Sequence, residues 1–229
     1  PKKLYRGEKS NVDTNVKIPT QEELIAFEKN VKDIPNEFTE FRNLTIIKLF
    51  CGSGIRSEEL IGLDMNDVFL QEESPYIMVW GKGNKEVQDR VPLSYEATDY
   101  LTEYFEYRKL FIEEKKKQNK SIDETPVFIS NKGERISKGA IDDFFKRYSN
   151  DMITPHMLRH WCGSHLYEDT KNIKLVQRVL RHKNIAVTAE NYVHVSDDEV
   201  DSAVKMLRTD RQNVGQCNPV SYTHLTLPT

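Results

Sequence analysis

TPHMLRH, residues 154–160, is the stretch of this 229-residue chain that says most about its fold and chemistry. Thr154 is a typical helix N-cap and Pro155 suits the first helical position, so the stretch predicts the start of a helix. His156 and Arg159 follow three residues apart, which places both side chains on one face of that helix. Helix N-termini attract anions, and the planar guanidinium group of arginine can hold two phosphate oxygens. The stretch therefore predicts a phosphate-binding helix start.

A second arginine stands in a comparable position earlier in the chain. GSG at residues 52–54 ends an apolar helix predicted over 38–50, because glycine adopts the left-handed conformation common at helix C-termini. Arg56 follows at the head of a short helix predicted over 57–63. Glu59 lies three residues further on the same face, where its carboxylate can orient the arginine. Taken alone, Arg56 is more typical of a surface ion pair than of a ligand site.

Five of the six histidines lie between residues 156 and 194, and this clustering has three possible explanations. The first is a metal site with the ligands His156, His160, Cys162 and His182. The spacing of His156 and His160 puts two ligands on one helix face, but no glutamate stands between them as in HExxH, and no cysteine pair indicates a zinc ribbon. The second explanation is phosphate chemistry beside the arginines. The third is histidines that only pack.

Residues 75–93 change from helical to β-type sequence. A β-type run at 76–80 and a second strand-like segment at 87–93 flank the turn sequence GKGNK at 81–85, which predicts a β-hairpin. The run PVFIS at 126–130 predicts a third strand or an extended segment. Trp80 and Trp161 are expected in the core. Further helices are predicted at 21–32, through 101–112, through 141–148, from 155, and at 172–180, 185–191 and 197–207.

The composition is typical of an intracellular globular protein. Three cysteines far apart favour a reducing compartment, no run of 18 apolar residues is present to span a membrane, and the first residues lack a secretory signal. The net charge of −3 argues against nucleic acid, yet residues 131–183 carry eleven Lys or Arg and six Asp or Glu, a local charge of +5. Such a basic segment is compatible with DNA binding and with a solvated surface of mixed charge.

The two ends of the chain differ from its middle. Residues 1–18 are polar and are expected to be a linker remnant, whereas 212–229 contain no Asp, Glu, Lys or Arg. We expect one domain over 19–210, followed at 211–229 by a tail that is disordered or foreign to the domain.

Four boxes and a terminal tyrosine resemble, in order, those of the tyrosine site-specific recombinases of the phage integrase type, the Xer-like members in particular. They are CGSGIRSEEL at 51–60, GKGNK at 81–85 with VPL at 91–93, TPHMLRH at 154–160, LRHKNI at 180–185 and ENYVHV at 190–195. Each box is weak alone, but their order over about residues 18–210 is specific. The chain departs from the family pattern at Arg181, where glycine is usual, and at Cys51, where threonine is common.

The resemblance implies a mainly α (α+β) catalytic domain with a small three-stranded antiparallel sheet. It implies site-specific DNA recombination through a 3′-phosphotyrosine intermediate, with Tyr192 as the nucleophile. The two arginines and His182 would hold the phosphate oxygens, Lys82 would protonate the leaving 5′-oxygen, and His156 would move a proton to or from the tyrosine. The implied catalytic residues are Arg56, Lys82, His156, Arg159, His182 and Tyr192.

The resemblance also implies the partners. No metal or other cofactor is required, because the bond energy stays in the covalent link. Double-stranded DNA and other copies of the chain are expected, since family members act as tetramers on paired sites and exchange a C-terminal segment, for which 197–209 is the candidate. We expect a cytoplasmic enzyme of prokaryotic or viral origin without membrane contact, lacking here the domain that precedes the catalytic domain and clamps DNA.

Three alternatives stay open at this point. A type IB topoisomerase-like enzyme would share the nucleophile and the two arginines. A DNA-binding module would lack catalysis, and a metal hydrolase would use the histidine cluster.

Overall fold

The computed structural model describes residues 17–81 and 87–182, and over these ranges the chain forms seven α-helices and one sheet. The helices are α1 Gln21–Lys32, α2 Glu37–Ser53, α3 Ser57–Gly62, α4 Tyr95–Lys117, α5 Lys138–Tyr148, α6 Pro155–Thr170 and α7 Ile173–Leu180. The strands are β1 Val68–Phe69, β2 Tyr76–Trp80 and β3 Gln88–Pro92, antiparallel in the order β1-β2-β3. A 3₁₀ turn, Met65–Asp67, precedes β1. The expected mainly α fold with a three-stranded antiparallel sheet is confirmed.

Most of the helices begin at a short polar side chain that accepts a hydrogen bond from the backbone N–H three residues on. This bond pairs one of the N–H groups that a helix start leaves without a partner. It explains why α1 and α6 begin where the sequence predicts. The caps are Thr20, Asn36, Ser94, Ser137, Thr154 and Asn172, for α1, α2, α4, α5, α6 and α7.

The helix α2 is buried around most of its circumference and forms the centre of the core. It packs against α1, α4 and α6. Two aromatic pairs fix its contact with α4: the rings of Phe38 and Phe111 stack with centroids 4.0 Å apart, and so do those of Phe41 and Tyr107. Each buried side chain of this size stabilises the fold by about 1.5–3 kcal/mol. The predicted helix over 38–50 is confirmed and extends to Ser53.

The third strand of the sheet is β1 and not residues 126–130, for which the sequence leaves open a third strand or an extended segment. Residues 126–130 are buried but form only isolated bridges, at Pro126 and at Ile129. Arginine side chains take the carbonyls that a sheet neighbour would otherwise bind. Arg108 donates to the carbonyls of Pro126 (2.8 Å) and Val127 (3.1 Å), and Arg42 donates to that of Ile129 (3.1 Å). The strand β1 pairs with β2 instead.

Two further expectations have different outcomes. Trp80 was expected in the core but is 48% exposed, because it ends β2 on the face of the sheet opposite the buried Ile77 and Val79. Trp161 is partly buried and packs against the core.

The helices predicted at 185–191 and 197–207 lie outside the described residues. Within the described part of the chain, no helix has the length and apolar character needed to cross a membrane.

Gly54 ends α2 in a conformation and a space that suit only glycine. Its φ of 60° is left-handed, and its N–H donates to the carbonyl of Phe50 at 3.1 Å. A Cβ atom at this position would lie 2.5 Å from Cδ2 of the buried Leu180 in α7. The end of α2 therefore touches α7 directly, and the next two residues lead to Arg56.

We predict that Gly54→Ala lowers the free energy of unfolding by about 1–3 kcal/mol, because alanine is strained in the left-handed region and its methyl group displaces Leu180. Gly62→Ala is the matched control, since no atom lies within 4 Å of the added methyl group. It should leave stability unchanged or raise it by up to about 1 kcal/mol through helix propensity. Urea unfolding followed by circular dichroism measures both, and equal effects would contradict the packing described here.

Candidate active site

Arg56 is the N-cap of α3 and is held there by Glu59. Its backbone N–H donates to Glu59 Oε2 (2.9 Å), and its Nη1 donates to Glu59 Oε1 (2.6 Å). Its Nη2 also donates to the carbonyls of Leu180 (3.3 Å) and Arg181 (3.0 Å), at the C-terminal end of α7. The Arg56 side chain is 33% exposed, so this fixed cation also faces solvent. Glu59 orients the arginine as the sequence predicts.

Arg159 lies deeper, in the first turns of α6. Thr154 caps this helix by accepting a hydrogen bond from the N–H of Met157, which fixes the position of the turn. Arg159 is 4% exposed, and its two Nη atoms donate to the carbonyls of Gly54 and Leu180. These carbonyls end α2 and α7 and have no partner within their own helices. Arg159 therefore links three helices.

One cavity of about 180 Å³ brings these groups together. The N-terminal ends of α3 and α6 both border it, so backbone N–H groups and two guanidinium groups surround the same space. Such a space favours an anion for the reasons that apply at any helix N-terminus. The lining residues are Phe50, Ile55, Arg56, Ser57, Pro155, His156 and Arg159.

His156 and His160 form a pair on α6. Their Nε2 atoms are 2.9 Å apart, and the rings meet edge to face. Burial, then the positive charge of Arg159 and Arg56, lowers the pKa of His156 below its ordinary value. Burial and the neighbouring His156 and Arg159 lower the pKa of His160 to about 4. Both imidazoles are therefore neutral at pH 7, and the N–H of one ring donates a hydrogen bond to the Nε2 of the other across the short contact.

His182 belongs to the same electrostatic environment. It follows α7, and its backbone N–H donates to the carbonyl of Gln177 at 3.1 Å. Burial lowers the pKa of His182 to about 4, and the positive charges of Arg159 and Arg56 are the next largest causes. The structure thus brings His182 near both arginines, together with His156.

Two predicted site residues, Lys82 and Tyr192, lie outside the described residues. A metal site is one of the explanations for the histidine cluster. Within residues 17–81 and 87–182, no group of three or more His, Cys, Asp and Glu side chains is arranged to hold a metal ion. The proximity of His156 to His160 fits a hydrogen bond between rings.

The ion pair of Arg181 is a feature of the site that sequence reasoning missed. Arg181 Nη2 lies 2.5 Å from Glu59 Oε2, and the two side chains are 10% and 2% exposed. Glu59 therefore contacts two arginines, Arg56 and Arg181. The sequence contains one indication of this ion pair, because Arg181 stands where the family that the chain resembles usually has glycine.

The chain is similar to several known proteins in sequence and in fold. Tyrosine recombinase XerC of Thermodesulfovibrio yellowstonii is 37% identical over 165 residues, which cover 70% of this chain and 52% of that protein. The XerH site-specific recombinase bound to difH substrate superposes with a TM-score of 0.66 at 24% identity, over 82% of this chain and 53% of that one. The catalytic domain of bacteriophage HP1 integrase superposes with a TM-score of 0.55 at 17% identity, over 88% of this chain and 100% of that domain.

These likenesses differ in what they show. The two solved structures are less than 25% identical to the chain and show its fold. The chain spans about half the length of the curated relatives that it matches. Residues 20–199, most of the chain, match the family described as the phage integrase family. The resemblance drawn from the boxes is thereby confirmed, and the chain belongs to the phage integrase family.

Proposed function

We propose that this chain is the catalytic part of a site-specific DNA recombinase that cuts and rejoins strands through a 3′-phosphotyrosine intermediate. The observation that carries the proposal is the shared cavity of Arg56, His156 and Arg159, formed where two helices begin. Membership of the phage integrase family and the similarity to named Xer recombinases support it. The catalytic domain is proposed to span 19–210.

The cavity receives the scissile phosphodiester. Arg56 and Arg159 hold its two non-bridging oxygens, on which negative charge builds up in the transition state. His182 adds a hydrogen bond from a neutral ring. Because helix starts and buried carbonyls fix both guanidinium groups before DNA arrives, little reorganisation is needed during the reaction.

The chemical step transfers the phosphoryl group from DNA to protein. The phenolic oxygen of Tyr192 attacks phosphorus, the new O–P bond forms, and the bond from phosphorus to the 5′-oxygen breaks. The proton of Tyr192 passes to His156, and Lys82 gives a proton to the departing 5′-oxygen. The 5′-hydroxyl of a second strand then attacks the phosphotyrosine, reversing these transfers and restoring Tyr192. The bond energy is conserved, so ATP is not consumed.

His156 suits the role of proton acceptor because it is neutral at pH 7. Its Nε2 faces His160, so Nδ1 is the nitrogen that serves the tyrosine. His160 thereby fixes the orientation of the ring.

The partners follow from this chemistry. Double-stranded DNA is the substrate, and further copies of the protein assemble on paired sites, with 197–209 as the exchanged segment. The enzyme acts inside the cell, where DNA is found. A type IB topoisomerase shares the nucleophile and the arginines, but the reported relatives give it no support. A non-catalytic DNA-binding module is separated by covalent capture.

We predict that the full-length enzyme, given a nicked duplex of its recombination site, becomes covalently joined to DNA through Tyr192 in the presence of EDTA. The nick lets the 5′-hydroxyl fragment diffuse away, so the intermediate cannot religate and accumulates. Tyr192→Phe keeps the ring but lacks the attacking oxygen, so it should bind the duplex and capture none. Denaturing gel electrophoresis with labelled DNA measures the product.

Three outcomes of that assay count against the proposal. They are the absence of a slow-migrating covalent band, a band that needs added metal, and a band that survives Tyr192→Phe. The third would assign the nucleophile to another residue, and Tyr167 is then the next variant to test.

We predict that Arg56→Lys and Arg159→Lys each reduce single-turnover cleavage by about 10²-fold, because lysine keeps the charge but loses the planar fork. Their stabilities should differ. Arg159 is buried on two helix-end carbonyls, so its replacement should lower the free energy of unfolding by about 1–3 kcal/mol. The more exposed Arg56 should lose less. Cleavage near the wild-type rate in both variants would remove the two-arginine clamp.

We predict that, as the pH is lowered, cleavage falls to half of its pH 7 rate only below pH 6.5, because the base must be neutral and the pKa of His156 is lowered from its ordinary value of 6.5. The rate should fall only at lower pH, as His156 becomes protonated. Single-turnover rates across pH 5–8 test this, with unfolding followed at each pH as the control. A tenfold loss between pH 7 and pH 6 in folded protein would contradict the assignment.

A further inference from the structure

Arg181 has a backbone conformation that arginine rarely adopts. It is the C-cap of α7 with φ 53° and ψ 45°. These angles lie in the left-handed region, where glycine is unstrained and residues with a Cβ atom are strained. Its carbonyl accepts the hydrogen bond from Arg56 Nη2, and His182 follows it. A strained residue between two groups of the proposed site needs side-chain contacts that hold it in place.

Those contacts are buried and ionic. The Arg181 side chain is 10% exposed and pairs with Glu59, while its Nη1 donates to the carbonyl of Val179 at 3.1 Å. Its Nε is buried and has no hydrogen-bond partner among the described residues. A buried ion pair stabilises a fold weakly, because removing both charges from water offsets their attraction. Stability alone therefore does not explain an arginine here.

Glu59 is the reason that Arg181 matters for Arg56. Its two carboxylate oxygens bind both the guanidinium group and the backbone N–H of Arg56, and Oε2 also binds Arg181. Burial alone would raise the pKa of the Glu59 carboxyl, but Arg181 and Arg56 lower it below its ordinary value, so Glu59 is ionised. A carboxylate with Arg56 as its only cation would neutralise the charge that attracts phosphate.

The charged side chains at this site carry a net positive charge that depends on Arg181. Among the described residues, Glu59 pairs directly with Arg56 and Arg181, and Arg159 shares the carbonyl of Leu180 with Arg56, so three arginines and one glutamate lie together at this junction. Their formal charge is +2, and it falls to +1 without Arg181. His156 and His182 do not compensate, because the pKa of each is lowered and both rings are neutral at pH 7. The exposed Asp89 on β3 also faces Arg181.

We propose that Arg181 is a positioning residue for phosphate binding: by pairing with Glu59, it leaves the positive charge of Arg56 to the DNA phosphate. This inference rests on the proposed function, since it assumes that the cavity receives a phosphate group. Arg181 acts through Glu59 and Arg56 and does not touch the phosphate itself.

The test measures binding of inorganic phosphate to the whole 229-residue chain. The side-chain Nε–H resonances of arginine in the ¹⁵N-labelled protein are followed during the titration, at pH 7 and low ionic strength. Arg181→Gln should weaken binding about tenfold, whereas Arg181→Lys, which keeps the charge, should stay within about threefold of the wild type. Arg178→Gln is the matched control: it removes the same charge from an exposed position on α7 and should change binding less than about twofold.

Arg181→Gly separates positioning from folding. Glycine relieves the left-handed strain but also leaves the buried Glu59 with one cation fewer, so this variant should unfold in urea at a higher midpoint than Arg181→Gln, which loses the same charge and keeps the strain. Its phosphate binding should nevertheless be about tenfold weaker, as for Arg181→Gln, because the charge is lost. If the role of Arg181 were only structural, phosphate binding would follow stability and Arg181→Gly would bind phosphate more tightly than Arg181→Gln.

Several results overturn the inference. They are wild-type affinity in Arg181→Gly, equal effects of Arg181→Gln and Arg178→Gln, and a wild-type chain whose resonances do not respond to phosphate. Covalent capture through Tyr192 is a separate experiment. It can succeed while these titrations fail, which would retain the recombinase and discard the role of Arg181. The reverse result would retain the phosphate site and discard the nucleophile.

Discussion

The structure depends on a buried guanidinium group that binds the ends of two helices. Arg159 donates to the carbonyls of Gly54 and Leu180, which close α2 and α7 and have no partner within those helices. Unpaired carbonyls in a dry interior are unfavourable, and a cation at a helix C-terminus also interacts well with the helix dipole. This single side chain therefore decides how α2, α6 and α7 meet. The position of that meeting point decides where the cavity lies.

The same contact explains why fold and chemistry cannot be separated at this site. Arg56 also donates to the carbonyl of Leu180, so the two arginines that border the cavity share one carbonyl as an anchor. Their separation is fixed by backbone atoms, and only the Arg56 side is open to solvent. Under the proposed mechanism, a loss of activity in an Arg159 variant would have two sources, a missing phosphate ligand and a loosened junction of helices. Activity has to be measured beside stability for this residue.

The sequence predicts the parts of this protein that local chemistry determines. Capping side chains such as Thr20 and Thr154 fix helix starts within their own turn, and Gly54 fixes a helix end. The spacing of His156 and Arg159 likewise depends on one helix. For residues 126–130 the sequence leaves a strand and an extended segment open, because their carbonyls bind the side chains of Arg42 and Arg108, which stand far away in sequence.

The ion pair of Arg181 lay beyond prediction for the same reason as residues 126–130. Its partner Glu59 is 122 residues away, and only the folded chain brings them together. The prediction that Trp80 is buried was wrong for a different reason. Period-two alternation places Trp80 on the outer face of β2, and its apolar character did not decide its burial. Apart from Trp80, contacts of high sequence separation account for what the pattern missed, and they are also the contacts that complete the candidate site. The net charge of −3 is a poor guide for the same reason, because affinity for phosphate depends on the few charges that the fold gathers at one place. The histidines there are neutral at pH 7, so that affinity depends on arginines, whose charge does not change with physiological pH.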